Sequence, residues 1–213
     1  FRQSYVNTKP QISCERAKIY TDSYRETEGE PMCIRSAKAY LAACEKLPVT
    51  IFDDEIIVGT AGEFKRTGIL TPEFSWKWVD KEMDKFSTRG QDPYEMTDEQ
   101  RKFTRKEIFP YWKGKSLEEL YLKRLPEDTA KILIDTGVLD NDSKWRQAVG
   151  EVTPDYEDIL LPKGYQKIKE EALAKIEELD IAIPENIEKI EFYKSQVIIC
   201  DGIMTFAKRY SDL

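Results

Sequence analysis

Along residues 32–48, MCIRSAKAYLAACEKLP, the apolar positions Ile34, Ala37, Leu41 and Cys44 recur every three or four residues. That spacing puts them on one helical face. Pro48 closes the run, because it has no N–H to continue a helix. PKGYQKIKEEALAKIEELD (162–180) follows the same rule, with Tyr165, Ile168, Ala172, Ile176 and Leu179 on one side of an amphipathic helix. A last helix starts near Pro184 and carries Ile187, Ile190, Val197 and Met204. QISCERAKIYTDSYRETEG (11–29) predicts a helix with Ser13 as N-cap and Gly29 beyond its end. In MTDEQRKFTRKEIFPYWKGKS (96–116), Thr97 with Gln100 predicts a capping box and Pro110 a stop; Ser116 with Glu119 opens another helix.

The pattern changes in VTIFDDEIIVG (49–59), where two short β-branched runs flank Asp53-Asp54. A strand, a tight turn and a second strand ending at Gly59 are expected. Residues 125–161, punctuated by Pro126, Gly137, Gly150 and Pro154, have no clear period. The fold class predicted is mainly α with a short β-hairpin. No repeat, low-complexity tract or linker divides the 213 residues.

Composition narrows the function. Eleven Tyr, nine Phe and four Trp argue for a folded chain. A net charge of −7 makes nucleic acid an unfavourable partner, since phosphate binding needs a basic surface. No apolar run reaches the roughly 20 residues that a membrane helix needs. Cys14, Cys33, Cys44 and Cys200 form no CxxC pair, and with no His present a metal site is not expected. The plain reading is free thiols in a reducing compartment. Lack of His also removes Ser–His, Cys–His and His–metal chemistry from this chain.

Three features read as structure. Gly59-Thr60-Ala61-Gly62 lacks the Gly-Lys-Ser/Thr ending of a phosphate loop. Asp53-Asp54-Glu55 reads as a solvated turn, and the charge runs as wet helix faces. LDNDSKWRQAVGEVTPDYEDI (139–159) is different, because it gathers Trp145, Arg146, Gln147 and Glu151. Arg146 offers a planar fork of donors suited to a carboxylate, phosphate or sulfonate. The competing reading pairs Arg146 with Asp140, Asp142 or Glu151.

Seven blocks, in order, carry a resemblance: ISCERAKIYTDSY, FDDEIIVG, GILTPEFSWKWVDKEMD, STRGQDPYEMTDE, EIFPYWKGKS, PDYEDILLPKGY and IEKIEFYKSQVIICDGIMTFAKRYSDL. Together they resemble the amino-terminal portion of the glycyl radical enzymes, in the branch of choline trimethylamine-lyase, the diol dehydratases and isethionate sulfite-lyase. Residues 1–213 would then be the amino-terminal portion of a pyruvate formate-lyase-like domain. The resemblance implies helices that wrap a ten-stranded α/β barrel in the complete enzyme. The missing Met and the uncapped final helix also predict a piece of something larger.

The family's thiyl-forming Cys, the Glu two residues after it and the glycyl radical loop have no counterpart in these residues. No catalytic residue and no cofactor are therefore expected in this chain; the glycyl radical would belong to the full-length enzyme, and the chain alone would be inactive. In the family the segment before P-x-Y lines one side of the substrate cavity. Arg146, Gln147 and Glu151 are thus the expected substrate contacts. Glu151 stands where diol dehydratases carry a His, and QAVG replaces the glycine run of the choline lyases. An anionic substrate follows, with isethionate C–S cleavage the best fit and choline or a diol the alternatives. A non-catalytic helical interaction module is the reading from a different class. The implied partners are a small-molecule substrate, a radical-SAM activating enzyme and, at full length, a second copy in a homodimer. The implied setting is an anaerobic cytoplasm.

Overall fold

The computed structural model describes residues 2–60, 62–90, 93–136 and 155–213. Helices dominate, as the patterning predicts. The strands among the described residues are β1 (Gln11–Ser13) and β2 (Thr67–Ile69), which run parallel with Ile12 opposite Gly68. The hairpin expected over 49–59 is not formed. Its turn is present, with the Glu55 N–H donating to the Phe52 carbonyl at 2.9 Å. The Glu55 carboxylate, however, takes the Phe52 N–H at 3.1 Å, the donor that a ladder would use. Ile56 and Ile57 are consequently 92% and 89% exposed. The chain divides into two units, Phe1–Lys18 with Thr60–Glu151 and Ile19–Gly59 with Val152–Leu213.

In the first unit, Gln11 also bridges to Glu95 on the other side of β1. Ser13 ends β1 rather than capping the next helix itself, although its hydroxyl oxygen accepts from the Glu15 N–H at 3.3 Å. Arg16, in the first turn of the Glu15–Glu26 helix, pairs with Glu73 at 2.6 Å with both side chains largely buried. The Pro72–Glu82 helix breaks at Ser75 (φ −155°, ψ 94°), whose hydroxyl accepts from the Trp78 N–H at 3.1 Å and so caps the second part.

The capping box forms as predicted: Thr97 Oγ1 accepts from the Gln100 N–H, and Gln100 Oε1 accepts from the Thr97 N–H. Pro110 does not stop this run. Residues Thr104–Ile108 widen into a π-helical turn, and the helix resumes over Phe109–Trp112 with Pro110 in its first turn. There the wider turn, closed by the Phe109 N–H donating to the Thr104 carbonyl, leaves room for the ring, and Pro110 forfeits only the N–H it lacks. Phe109 and Trp112 are each 2% exposed, and Ile108, Val79, Met83 and Phe86 are buried as well. Each large side chain buried in this way contributes roughly 1.5–3 kcal/mol. Arg105 clamps the rim by bonding Asp80 at 2.8 Å and Asp84 at 2.7 Å.

In the second unit the Met32–Lys46 helix packs on the Pro184–Ser211 helix, as their apolar patterns predict. The crossing is at Gly202, where an added Cβ would meet Leu41 Cα and Tyr40 Cδ1 at 3.3 Å and Cys44 Sγ at 3.4 Å. The Leu161–Glu177 helix packs on the same long helix and adds a Lys169–Asp201 pair at 2.6 Å. Its entrance repeats the device seen at Pro110: a π-helical turn over Tyr156–Leu160, then Leu161 and Pro162. Pro48 ends the Met32–Lys46 helix and leaves the Cys44 carbonyl without an i+4 donor. Arg209 supplies one, donating to Cys44 O at 2.6 Å and to Leu47 O at 2.7 Å.

Candidate functional site

The three side chains expected to contact substrate, Arg146, Gln147 and Glu151, lie outside the described residues. The structure does describe what leads into that segment. Leu117–Arg124 and Glu127–Thr136 are two helices separated by Leu125 and Pro126, and they contact each other. Ser116 caps the first, as the Ser-x-x-Glu spacing predicts.

A polar cluster fixes the start of this helix pair to the Pro72–Glu82 helix. Glu119 Oε2 accepts from Trp76 Nε1 at 2.9 Å, from the Gly114 N–H at 2.8 Å and from Ser116 Oγ at 3.0 Å. Its other oxygen takes Lys77 Nζ at 3.1 Å. Next to it, Ser75 Oγ donates to Glu118. Burial pushes the Glu119 carboxyl up. The bonds from Trp76, Lys77, Gly114 and Ser116 outweigh that and hold it below the ordinary glutamate value. Lys113 lies over the Trp76 ring, 5.4 Å from its centre.

The Ser116–Glu119 spacing predicts a helix opening and says nothing of Trp76, so the bond between Glu119 and Trp76 is not foreseen. The missed signal is the indole N–H, a donor that needs a partner when half buried.

Two other sets of groups bear on chemistry. Cys14, Cys44 and Cys200 are buried and Cys33 half-buried, all as free thiols. Burial pushes up the thiols of Cys14, Cys44 and Cys200. Nearby donors and cations only partly offset this, namely Thr104 for Cys14, Tyr40 and Arg209 for Cys44, and Lys169 for Cys200. The reactive thiolate is thus disfavoured at all three. In the first unit a cavity of about 180 Å³ lies among Gly68, Leu70, Trp78, Phe86, Arg89 and Tyr94. Gly68 makes room for the Tyr94 ring, whose nearest carbons would stand 2.7 Å from an added Cβ. Among the described residues no group of three or more Cys, Asp and Glu side chains could hold a metal ion. None of the described helices is long and apolar enough to cross a membrane.

The family model "Pyruvate formate lyase-like" matches residues 1–213. The chain belongs to this family. The pyruvate formate lyase-like match agrees with the glycyl radical resemblance carried by the seven sequence blocks. Among curated relatives, the isethionate sulfite-lyase of Nitratidesulfovibrio vulgaris is 37% identical over 99% of this chain and 26% of its own length. Among solved structures, the B12-independent glycerol dehydratase of Clostridium butyricum superposes with a TM-score of 0.91 at 32% identity, over 99% of this chain and 26% of that one. A glycyl radical enzyme from Archaeoglobus fulgidus gives a TM-score of 0.85 at 31% identity, over 98% of this chain and 26% of that one. The chain spans about a quarter of the length of the family members it matches.

Proposed function

We propose that this chain is the amino-terminal portion of a glycyl radical carbon–heteroatom lyase that cleaves the C–S bond of a small sulfonate such as isethionate and releases sulfite. The observation that supports it best is the 37% identity to an isethionate sulfite-lyase, spread over 99% of the chain. Arg146 and Gln147 fit that substrate class. A guanidinium presents two parallel N–H donors to a sulfonate, and the amide adds a donor beside it. Glu151 would accept from the substrate hydroxyl.

In such an enzyme the glycyl radical supplies hydrogen-atom abstraction through a cysteine, and both groups would belong to the remainder of the polypeptide. The residues present here would bind and orient. A radical-SAM activating enzyme, a homodimeric full-length form and an anaerobic cytoplasm belong to the same reading. The second reading is a diol dehydratase, favoured by the 0.91 TM-score with the glycerol dehydratase.

The test uses the full-length protein, activated without oxygen, on isethionate, choline, glycerol and propane-1,2-diol in parallel. Sulfite release that disappears with Arg146→Ala is expected. Turnover of a diol or of choline in place of isethionate, or activity indifferent to Arg146, overturns the sulfonate assignment.

A further inference from the structure

We propose that the cavity of the first unit is a binding site for a small carboxylate that carries a single apolar ring. The site does not use Arg146, Gln147 or Glu151, so it stands or falls apart from the sulfonate reading.

The chain builds this cavity from several elements. β1 brings Ile12 and β2 brings Gly68, opposite each other in the parallel pair. The Pro72–Glu82 helix contributes Trp78 and Val79, and the turn over Met83–Thr88 contributes Phe86. The Tyr94 ring lies closer to the Gly68 backbone than any Cβ would allow. Ile12, Leu70, Val79 and Phe86 are each no more than 4% exposed and make an apolar floor. Ile69 is 40% exposed, and Trp78, Arg89 and Tyr94 are half-buried, so these make a rim that solvent reaches.

The space is about 180 Å³. An apolar cavity of about 150 Å³ takes up benzene, so one six-membered ring fits here. Walls of this kind give water few hydrogen-bond partners. The Trp78 and Phe86 rings stand 6.3 Å apart, tilted by 40°, and offer an inserted ring both a face and an edge.

The lining is not wholly apolar. Arg89 belongs to it, with its guanidinium carbon 4.8 Å from the centre of the Phe86 ring. A guanidinium stacked on a ring holds its N–H donors in its own plane, where a carboxylate meets them. Thr71 adds a hydroxyl to the lining; it stands at the N-cap of the Pro72–Glu82 helix but makes no side-chain bond to the cap. One cation and one hydroxyl suit a carboxylate with a single charge. A phosphate dianion would bring more acceptor oxygens than these two groups serve.

The experiment uses the full-length enzyme and follows 4-fluorobenzoate by fluorine NMR, with 4-fluorobenzamide as the uncharged probe of the same shape. Wild type is expected to bind 4-fluorobenzoate with a Kd on the order of 1 mM, ordinary for so small a ligand, and the amide about ten-fold more weakly. Arg89→Gln should bring the two probes to within about two-fold of each other. Lys85→Gln removes an exposed cation that is not part of the lining and should leave the ten-fold difference intact. Ile69→Trp fills the mouth from a position exposed enough to accept it, and should abolish binding of both probes. Bound 4-fluorobenzoate should slow hydrogen exchange across 67–71 in wild type but not in Ile69→Trp.

No binding of 4-fluorobenzoate up to about 20 mM overturns the proposal, as does equal affinity for the two probes in wild type. An Arg89→Gln variant that still prefers the carboxylate about ten-fold refutes the role of that guanidinium and with it the site. Binding that survives in Ile69→Trp would place the probe elsewhere, and a preference lost in Lys85→Gln would reduce it to a general attraction to positive charge; either result overturns the proposal.

Discussion

Replacing Arg209 should destabilise the second unit by uncapping the Met32–Lys46 helix. Pro48 has no N–H, so the Cys44 carbonyl one turn earlier depends on a donor from elsewhere. Arg209 reaches it at 2.6 Å and Leu47 O at 2.7 Å. Hydrogen bonds to a charged group contribute about 1.5–3 kcal/mol each, and partial exposure puts this pair at the low end, about 3 kcal/mol together. A cation at a helix C-terminus adds roughly 0.3–1 kcal/mol. Arg209→Met keeps most of the aliphatic stem and removes both bonds and the charge, for an expected loss of about 3 kcal/mol. Arg209→Lys keeps the charge and one bond, and should lose about half as much. At roughly 2–4 °C per kcal/mol for a chain of this size, Arg209→Met should melt about 6–12 °C below wild type by far-ultraviolet circular dichroism. Hydrogen exchange at residues 44–51 should rise in the same order, wild type, Lys, Met. A Met variant that melts within about 1 °C of wild type would refute the capping argument.

Other expectations follow from the same packing. Gly68→Ala places a methyl 2.7 Å from the Tyr94 ring and 2.9 Å from Ile12 Cδ1, so the urea midpoint should fall by the equivalent of about 1–3 kcal/mol; an unchanged midpoint would mean that the ring yields freely. Gly202→Leu drives a side chain against the Leu41 backbone, which cannot rotate aside, and should melt the second unit by several degrees in calorimetry. The sign of the pH effect at Glu119 follows from its lowered pKa. Its contribution is full above the ordinary value of 4.5 and is lost as pH falls through the depressed folded value. The acid limb of a stability–pH profile should therefore flatten in Glu119→Gln, and identical limbs would contradict the hydrogen bonds assigned to that carboxylate. Thr97→Ala should cost about 1 kcal/mol in chemical denaturation, and a neutral result would mean that the box is frayed in solution.

The sequence made local features legible where cause and effect lie within one turn. Thr97 and Gln100 satisfy each other across three residues, and Ile34, Ala37 and Cys44 need only a 3.6-residue period to form a face. The parallel pair of β1 and β2 left no such mark. Three residues at 11–13 and three at 67–69 meet across more than fifty positions, and neither run alternates long enough to read as a strand. IIVG misled for the opposite reason, since its β-branched run has strong propensity but its neighbour Glu55 takes the ladder donor for itself. Trp76 was legible as an aromatic but not as a donor, because its acceptor lies 43 positions away. The resemblance, built from seven dispersed blocks, carried the family where spacing could not. Arg146, Gln147 and Glu151 rest on that resemblance and on the chemistry of their side chains.

The π-helical turn at Thr104–Ile108 has a consequence for how this run tolerates change in length. Such a turn is an α-helix holding one residue more than its period requires, so it acts as a phase shifter between what comes before and after. Losing any one residue from 104–108 would restore the regular winding and rotate everything downstream by about 100°. Phe109 and Trp112, now 2% exposed, would swing toward water, while Lys113 would turn toward the space they vacate. A single-residue deletion there would do more harm than most substitutions, although every residue it touched would remain. The second such turn, at Tyr156–Leu160, is followed by a break at Gly164 (φ 64°, ψ 171°), so its extra residue is not carried as a rotation into the rest of the Leu161–Glu177 helix. At Thr104–Ile108 the extra residue is a gear tooth, and removing it turns a buried face outward.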